Sequence, residues 1–212
     1  MPQATLPKKH TSYPMHLLTL GLNHATAPVE TREQLAFSPE AQTEVMQRLV
    51  GGYGVEEAAV LCTCNRSEIY AVSGDLHGLD GVRRYLSSEQ DVDLAALSPC
   101  LYEFADADAA MHLFRVACGI DSLVTGESQI LGQVREALER AQRTRTARRF
   151  INEVFQRALR AGKRARSETD IGRGRLSVSS AAVELAGQIF DRLEGRSALL
   201  LGAGEMIELT VR

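Results

Sequence analysis

Residues 58–63 (AAVLCT) and 68–72 (EIYAV) are two short apolar runs separated only by Cys64, Asn65, Arg66 and Ser67. Runs of five or six residues bounded by polar ones have the length of strands and are too short for helices. A third run, 16–22 (HLLTLGL), has the same character and ends near Gly21. Between the runs at 16–22 and 58–63, Ser38 is placed to cap a helix with Pro39 at its first position. Val45, Leu49 and Val50 supply its apolar stripe until Gly51 and Gly52 stop it. Residues 15–105 therefore read as an α+β segment. After a strand-like LYEF at 101–104, Asp106 is placed to cap a helix with Met111, Phe114 and Ala117 on one face. Helical periodicity resumes over 129–145 and 148–166, which predicts a helical-bundle subdomain over 106–172.

The last forty residues change character. Ser177 to Leu193 reads as a helix, and SALLLGAGEM from Ser197 reads as a buried strand running into a glycine-rich turn, the opening of a βαβ unit. Gly202-Ala203-Gly204-Glu205-Met206-Ile207 matches the first two glycines of the dinucleotide fingerprint and has Ile207 at the third position. Two glycines permit a tight turn and close approach of backbone N–H groups to a pyrophosphate. A plain strand-to-helix turn would use the same residues. A βαβ unit needs about 30 residues and a second strand, so 173–212 is expected to hold the incomplete start of an α/β Rossmann-type domain.

With 44% hydrophobic and 24% charged residues, the composition is that of a globular chain. No run approaches the ~18 apolar residues of a membrane span, and residues 1–14 lack the apolar stretch of a signal peptide. The expectation is a cytoplasmic protein with a disordered leader at 1–14. Cys62, Cys64, Cys100 and Cys118 are then free thiols, and no pair has the C-x-x-C spacing of zinc or redox motifs. Charge is unevenly placed. Residues 1–134 carry 8 basic and 17 acidic side chains, whereas 135–175 carry 13 basic and 5 acidic. That local polycation is either a nucleic-acid-facing surface or a solvated helix face.

Two residues have the chemistry of catalysts. Cys64 sits at a strand end, where side chains leave the sheet, and a cation two residues on is a setting that lowers a thiol pKa. A small buried cysteine is the competing reading, and Cys62, inside the apolar run, fits it better. His112, on the 106–119 helix, either packs beside the core or faces a cleft as an acid or base.

Taken together, several pieces form a pattern: Gly21-Leu-Asn-His24 with Ala27-Pro28-Val29, Thr63-Cys-Asn-Arg66-Ser-Glu68-Ile-Tyr70, and His112-Leu-Phe-Arg-Val-Ala. Further on come Gly119-Ile-Asp-Ser122, Gly126-Glu127-Ser-Gln129-Ile-Leu-Gly-Gln133-Val, Ala165-Arg-Ser-Glu-Thr-Asp170-Ile and Gly202 to Ile207. In order and spacing this series resembles the glutamyl-tRNA reductases over residues 15–212. The resemblance implies an N-terminal catalytic domain, an NADPH-binding domain and a C-terminal dimerisation domain, of which this chain holds the first and the start of the second. It implies Cys64 as nucleophile and His112 as the activity-linked histidine. Substrate contacts fall on Thr63, Asn65, Arg66, Ser122, Glu127, Ser128, Gln129 and Gln133, and the nucleotide loop on Gly202, Ala203, Gly204, Glu205, Met206 and Ile207. In the family a proline is usual where Ser128 stands, and a bulky apolar residue at Thr125.

The implied activity is NADPH-dependent reduction of glutamyl-tRNA to glutamate-1-semialdehyde through a cysteine thioester, at the start of tetrapyrrole synthesis, with handover to a downstream aminomutase. The chain as it stands is expected to be monomeric and limited to thioester formation and slow hydrolysis. A non-catalytic tRNA- or partner-binding remnant is the alternative.

Overall fold

The structure, a computed structural model, describes residues 15–172 apart from 91 and 128, together with 185–190, 195, 197 and 199. The leader at 1–14, most of the segment read as a helix over 177–193 and the glycine-rich turn at 202–207 lie outside the described residues.

Four strands form one antiparallel sheet: β1 (His16–Asn23), β2 (Glu57–Cys62), β3 (Arg66–Ser73) and β4 (Tyr102–Ala105), in the order β2-β3-β1-β4. The two apolar runs around Cys64 are thus a hairpin, and Thr63, Cys64 and Asn65 are its turn. The helices are α1 (Val29–Glu33), α2 (Pro39–Gly52), α3 (Gly78–Glu89), α4 (Leu94–Leu97), α5 (Asp106–Ala117), α6 (Gln129–Arg143) and α7 (Arg149–Glu168). Ser38 caps α2 as its sequence suggests, its hydroxyl accepting from Ala41 N–H at 3.2 Å. No helix among the described residues is long and apolar enough to cross a membrane.

Every residue of β3 is buried. Because strand side chains alternate, Arg66, Glu68 and Tyr70 share one face and Ser67 and Ile69 the other. The first face receives α5 and α7: His112 meets Glu68, and Phe155 sets its ring edge-on to Tyr70 at 5.3 Å. The second receives α3 through Leu86. The buried apolar residues of the sheet and of α5, α6 and α7 form a single cluster. Thus the helices after residue 105 complete the core that the sheet begins.

Long-range contacts decide two features that local sequence obscures. The α7 N-terminus has no cap of its own, yet the carboxylate of Glu57, buried on β2, accepts the N–H groups of Arg148, Phe150 and Ile151 at 2.8–3.0 Å. This satisfies the donors that a helix start leaves open and places an anion at the positive end of the helix dipole. At the start of α5 the expected cap is overturned. Asp106 adopts a left-handed φ of 50° and turns its carboxylate back to His16 Nδ1 and Leu17 N–H, so Ala105 occupies the cap position. The expected stripe through Met111 is also shifted. Met111 is 62% exposed, and α5 buries Ala109, His112, Leu113, Val116 and Ala117.

Where α5 ends, α7 crosses it closely: a Cβ on Gly162 would stand 2.4 Å from Ala117 O and 2.8 Å from Leu131 Cδ1. Gly162→Ala should therefore lower stability by about 1–3 kcal/mol through overpacking, although alanine is the better helix former. Chemical denaturation checks this, and an unchanged or raised midpoint would show that the crossing is looser than described.

Candidate active site

The sheet presents its functional groups at the β2–β3 turn. Thr63 N–H donates to Arg66 O at 2.8 Å, and Asn65 N–H donates to Thr63 Oγ1 at 3.1 Å. The tight turn leaves the Cys64 side chain exposed. Behind it, Arg66 points into the core with 1% of its side chain exposed, against a Glu68 side chain with none.

Glu68 is the hub. Its Oε1 accepts from Arg66 Nη1 at 2.6 Å, Tyr102 OH at 2.6 Å and His112 Nε2 at 2.9 Å, and its Oε2 accepts from Tyr70 OH at 2.6 Å. Burial pushes this carboxyl toward its neutral form. The Arg66 charge and the hydrogen bonds from His112 and Tyr102 outweigh that and hold it down at about 2. The same burial, beside an anion, drives the Tyr70 and Tyr102 hydroxyls upward and keeps them as donors. A carboxylate only accepts, so His112 Nε2 carries the proton it shares with Glu68. At Gly21, on β1, an added Cβ would meet Glu68 Cγ at 2.8 Å, so glycine gives the hub its room.

The other wall is the loop from Cys118 to Glu127, between α5 and α6. Arg115 grips the Asp121 carboxylate through Nε at 2.9 Å and Nη2 at 2.6 Å, Gly126 N–H donates to Gly119 O at 2.7 Å, and Arg166 Nη2 donates to Glu127 O at 2.8 Å. Arg66 Nη2 donates to Asp121 O at 2.7 Å and ties this loop to the hairpin.

Between the two lies a narrow cleft lined by Thr63, Cys64, Asn65, Arg66, Ser122, Glu127 and Gln133, with Leu123 and Ile130 as its apolar part. Seven of the residues singled out from the sequence thus face one space. Ser122 Oγ is buried there without a hydrogen-bond partner. Gln129 opens α6 but does not line the cleft. Ser128 and the 202–207 loop lie outside the described residues. His112, read from sequence as packing beside the core or facing a cleft, is not among the cleft-lining residues. It is 8% exposed, lies against the Tyr102 and Phe104 rings and reaches the cleft only through Glu68 and Arg66.

The electrostatics also differ from the sequence reading. Although Cys64 is exposed at the turn, the cleft walls partly desolvate its sulfur; that desolvation first and then the Glu127 charge push the thiol up, and a backbone hydrogen bond and Arg32 oppose them. Arg66, two residues on, is not among the groups that lower it; its guanidinium turns inward to Glu68. Burial likewise raises Glu127, against Arg66 and Arg166. Arg32 and His24 are additions to the site. His24 N–H donates to Asn65 O at 2.9 Å, its Nδ1 is buried without a partner, and burial followed by Arg66 lowers its pKa. The Gly21 to His24 motif was the available signal for it.

Because Glu68 is ionised with a depressed pKa, its contribution to stability is present above the ordinary carboxyl value of 4.5 and is lost as pH falls toward about 2. Glu68→Gln leaves Arg66 buried without its counter-charge and should cost about 3 kcal/mol at pH 7. The gap to the parent should narrow as pH falls from 4.5 to 2. Denaturant titrations across that range check it, and a pH-independent gap would contradict the ionised hub.

Comparison with known proteins supplies the context. Residues 20–169 match the family model described as Glutamyl-tRNAGlu reductase, N-terminal domain. The chain is 48% identical over 197 residues to the glutamyl-tRNA reductase of Bacillus velezensis, covering 92% of this chain and 43% of that protein. It is 46% identical over 199 residues to that of Pelotomaculum thermopropionicum, covering 93% and 45%. The solved structure of glutamyl-tRNA reductase from Methanopyrus kandleri superimposes with a TM-score of 0.63 at 35% identity, covering 92% of this chain and 45% of that one. The chain thus spans less than half the length of these relatives.

Proposed function

From the premise that the chain belongs to the glutamyl-tRNA reductase family, we propose that it accepts glutamate from glutamyl-tRNA onto Cys64 as a thioester. In the whole protein this step would precede NADPH-dependent reduction to glutamate-1-semialdehyde for tetrapyrrole synthesis. The observation that carries the reading is the single cleft that gathers an exposed thiol, a buried arginine, an unpartnered serine hydroxyl and a half-buried glutamate.

The chemistry follows from those groups. The Cys64 sulfur attacks the ester carbonyl, the bond from that carbon to the ribose oxygen breaks, and the thiol proton ends on the ribose hydroxyl. A thiol pushed upward needs a base, and Glu127, itself raised, lines the cleft beside it; it takes the thiol proton and returns it to the departing oxygen. Each terminal nitrogen of Arg66 commits one N–H, to Glu68 and to Asp121 O, and retains a second for the substrate γ-carboxylate. Glutamine, with a neutral amide there, offers those N–H groups one acceptor oxygen and sets its own NH₂ against them. His112 acts through Glu68, holding the hub that aims Arg66. NADPH, when bound, supplies hydride. The residues read as its phosphate loop lie outside the described residues, and no described side chain is assigned to it. Exposed cations along α7, including Arg149, Arg157, Arg160 and Lys163, suit a phosphate backbone.

Cys64→Ala should abolish transfer of glutamate from tRNA to protein, while Cys62→Ala, Cys100→Ala and Cys118→Ala retain it. Intact-mass measurement after incubation with glutamyl-tRNA reads the adduct directly. A glutamyl adduct on the Cys64→Ala protein would sink the assignment, and absence of any adduct on the parent would favour a tRNA-binding role without chemistry.

A further inference from the structure

A second cavity, of about 330 Å³, opens beside the cleft and shares Thr63 and Gln133 with it. That size suits a small molecule, and the transfer proposed above makes no use of it. One wall is a face of α6, where Gln133, Glu136, Ala137 and Arg140 follow at i, i+3, i+4 and i+7. Facing it, Gln42 of α2 is only 4% exposed and is fixed in place. Its Nε2 donates to Phe37 O at 2.8 Å, and its Oε1 accepts from Arg140 Nη1 at 2.6 Å. A guanidinium carries five N–H donors and an amide nitrogen two, and these bonds use one of each. A cation and an amide N–H thus stand side by side at the cavity wall, which is a seat for a carboxylate. Glu40 also feels the Arg140 charge, but it is turned to the Ser38 hydroxyl, from which it accepts at 2.9 Å.

One turn before Arg140 on the same wall stands Glu136. At this i,i+4 spacing Glu153 and Arg157 of α7 close an ion pair at 2.6 Å. Among the described residues Glu136 and Arg140 form no such pair, because Gln42 draws the guanidinium toward α2. The cavity therefore presents two opposite charges, neither neutralising the other, on side chains whose Cβ atoms are about 5–6 Å apart. An ammonium and a carboxylate carried on one carbon match that spacing. The remaining walls, Phe37, Pro39, Val60 and Ala137, are apolar and offer no partner to a charged side chain.

We infer that this cavity binds a free α-amino acid with an apolar side chain, its carboxylate on Arg140 and Gln42, its ammonium on Glu136 and its side chain against Phe37 and Val60. An amino acid esterified through its α-carboxyl lacks the carboxylate that Arg140 and Gln42 would hold, so the occupant is distinct from an aminoacyl ester reacting at Cys64. Because Thr63 and Gln133 are walls of both spaces, the bound amino acid acts as an effector: it restrains the turn that carries Cys64 and narrows access to the thiol.

The test uses the full 212-residue chain and no tRNA. L-Phenylalanine, L-phenylalaninamide, 3-phenylpropionate and L-glutamate are titrated in turn while backbone amide signals are followed. Phenylalanine should shift the Ala137 amide. The amide, which lacks the carboxylate, and the propionate, which lacks the ammonium, should each bind about tenfold or more weakly. Glutamate should also bind more weakly, since its second carboxylate meets the apolar walls. Glu136→Gln, at an exposed position, and Arg140→Gln should each weaken phenylalanine about tenfold, the first with an unchanged melting temperature. Glu139→Gln, on the same helix and outside the cavity, should retain it. Absence of binding at about 10 mM phenylalanine, equal affinity for the two analogues, tighter binding of glutamate, or indifference to Glu136→Gln would overturn the site. Alkylation of Cys64 by iodoacetamide, read by peptide mass, should slow at saturating phenylalanine in the parent and not in Glu136→Gln. An unchanged rate in the parent would overturn the effector role.

Discussion

A carboxylate with no exposed surface, bonded to a guanidinium, an imidazole and two phenols, holds the centre of this molecule. Isolated in an apolar core, Glu68 would be too costly to remain charged. With four donors it remains ionised, and its position then fixes the groups around it. Arg66 lies against it from the same strand face, Tyr102 reaches it from β4 and His112 from α5. Because Arg66 also donates to Asp121 O, the charge pair inside the sheet holds the loop that closes over the cleft. The geometry of the Cys64 site is thus set from beneath, by residues of which only Arg66 lines it.

Much of this fold was legible in the sequence for definite reasons. The short apolar runs could only be strands, Ser38-Pro39 announces a helix start through its own side chain, and the long periodic segments became α6 and α7. What failed was decided by contacts distant in sequence. Asp106 has the chemistry of a helix cap, but its carboxylate finds better partners on β1, ninety residues away. The α7 N-terminus is capped by Glu57 from a strand, which no local window contains.

The site divides in the same way. The residue types were readable, since the motifs around Thr63 to Arg66, Ser122 and Glu127 to Gln133 mark groups that the fold gathers into one cleft. Their electrostatics were not. A cation two residues from a cysteine suggests an activated thiol, yet strand alternation and the pull of Glu68 turn Arg66 inward, and Cys64 is left with burial and Glu127 raising it. His112 likewise has the right chemistry for a cleft acid but stands behind the hub. Chemistry-bearing residues can be recognised by type, whereas the direction in which a side chain spends its charge is a property of the folded neighbourhood.

If the hub governs the site, its protonation state is the quantity to measure. Selective ¹³C labelling of glutamate side chains allows the Glu68 carboxyl carbon to be followed by NMR as the folded protein is acidified. The account predicts a midpoint at about 2, with no transition near the ordinary value of 4.5. A Glu68 carboxyl that titrates at 4.5 or above in the folded protein would contradict it, because Arg66 would then lack the fixed counter-charge on which the cleft depends.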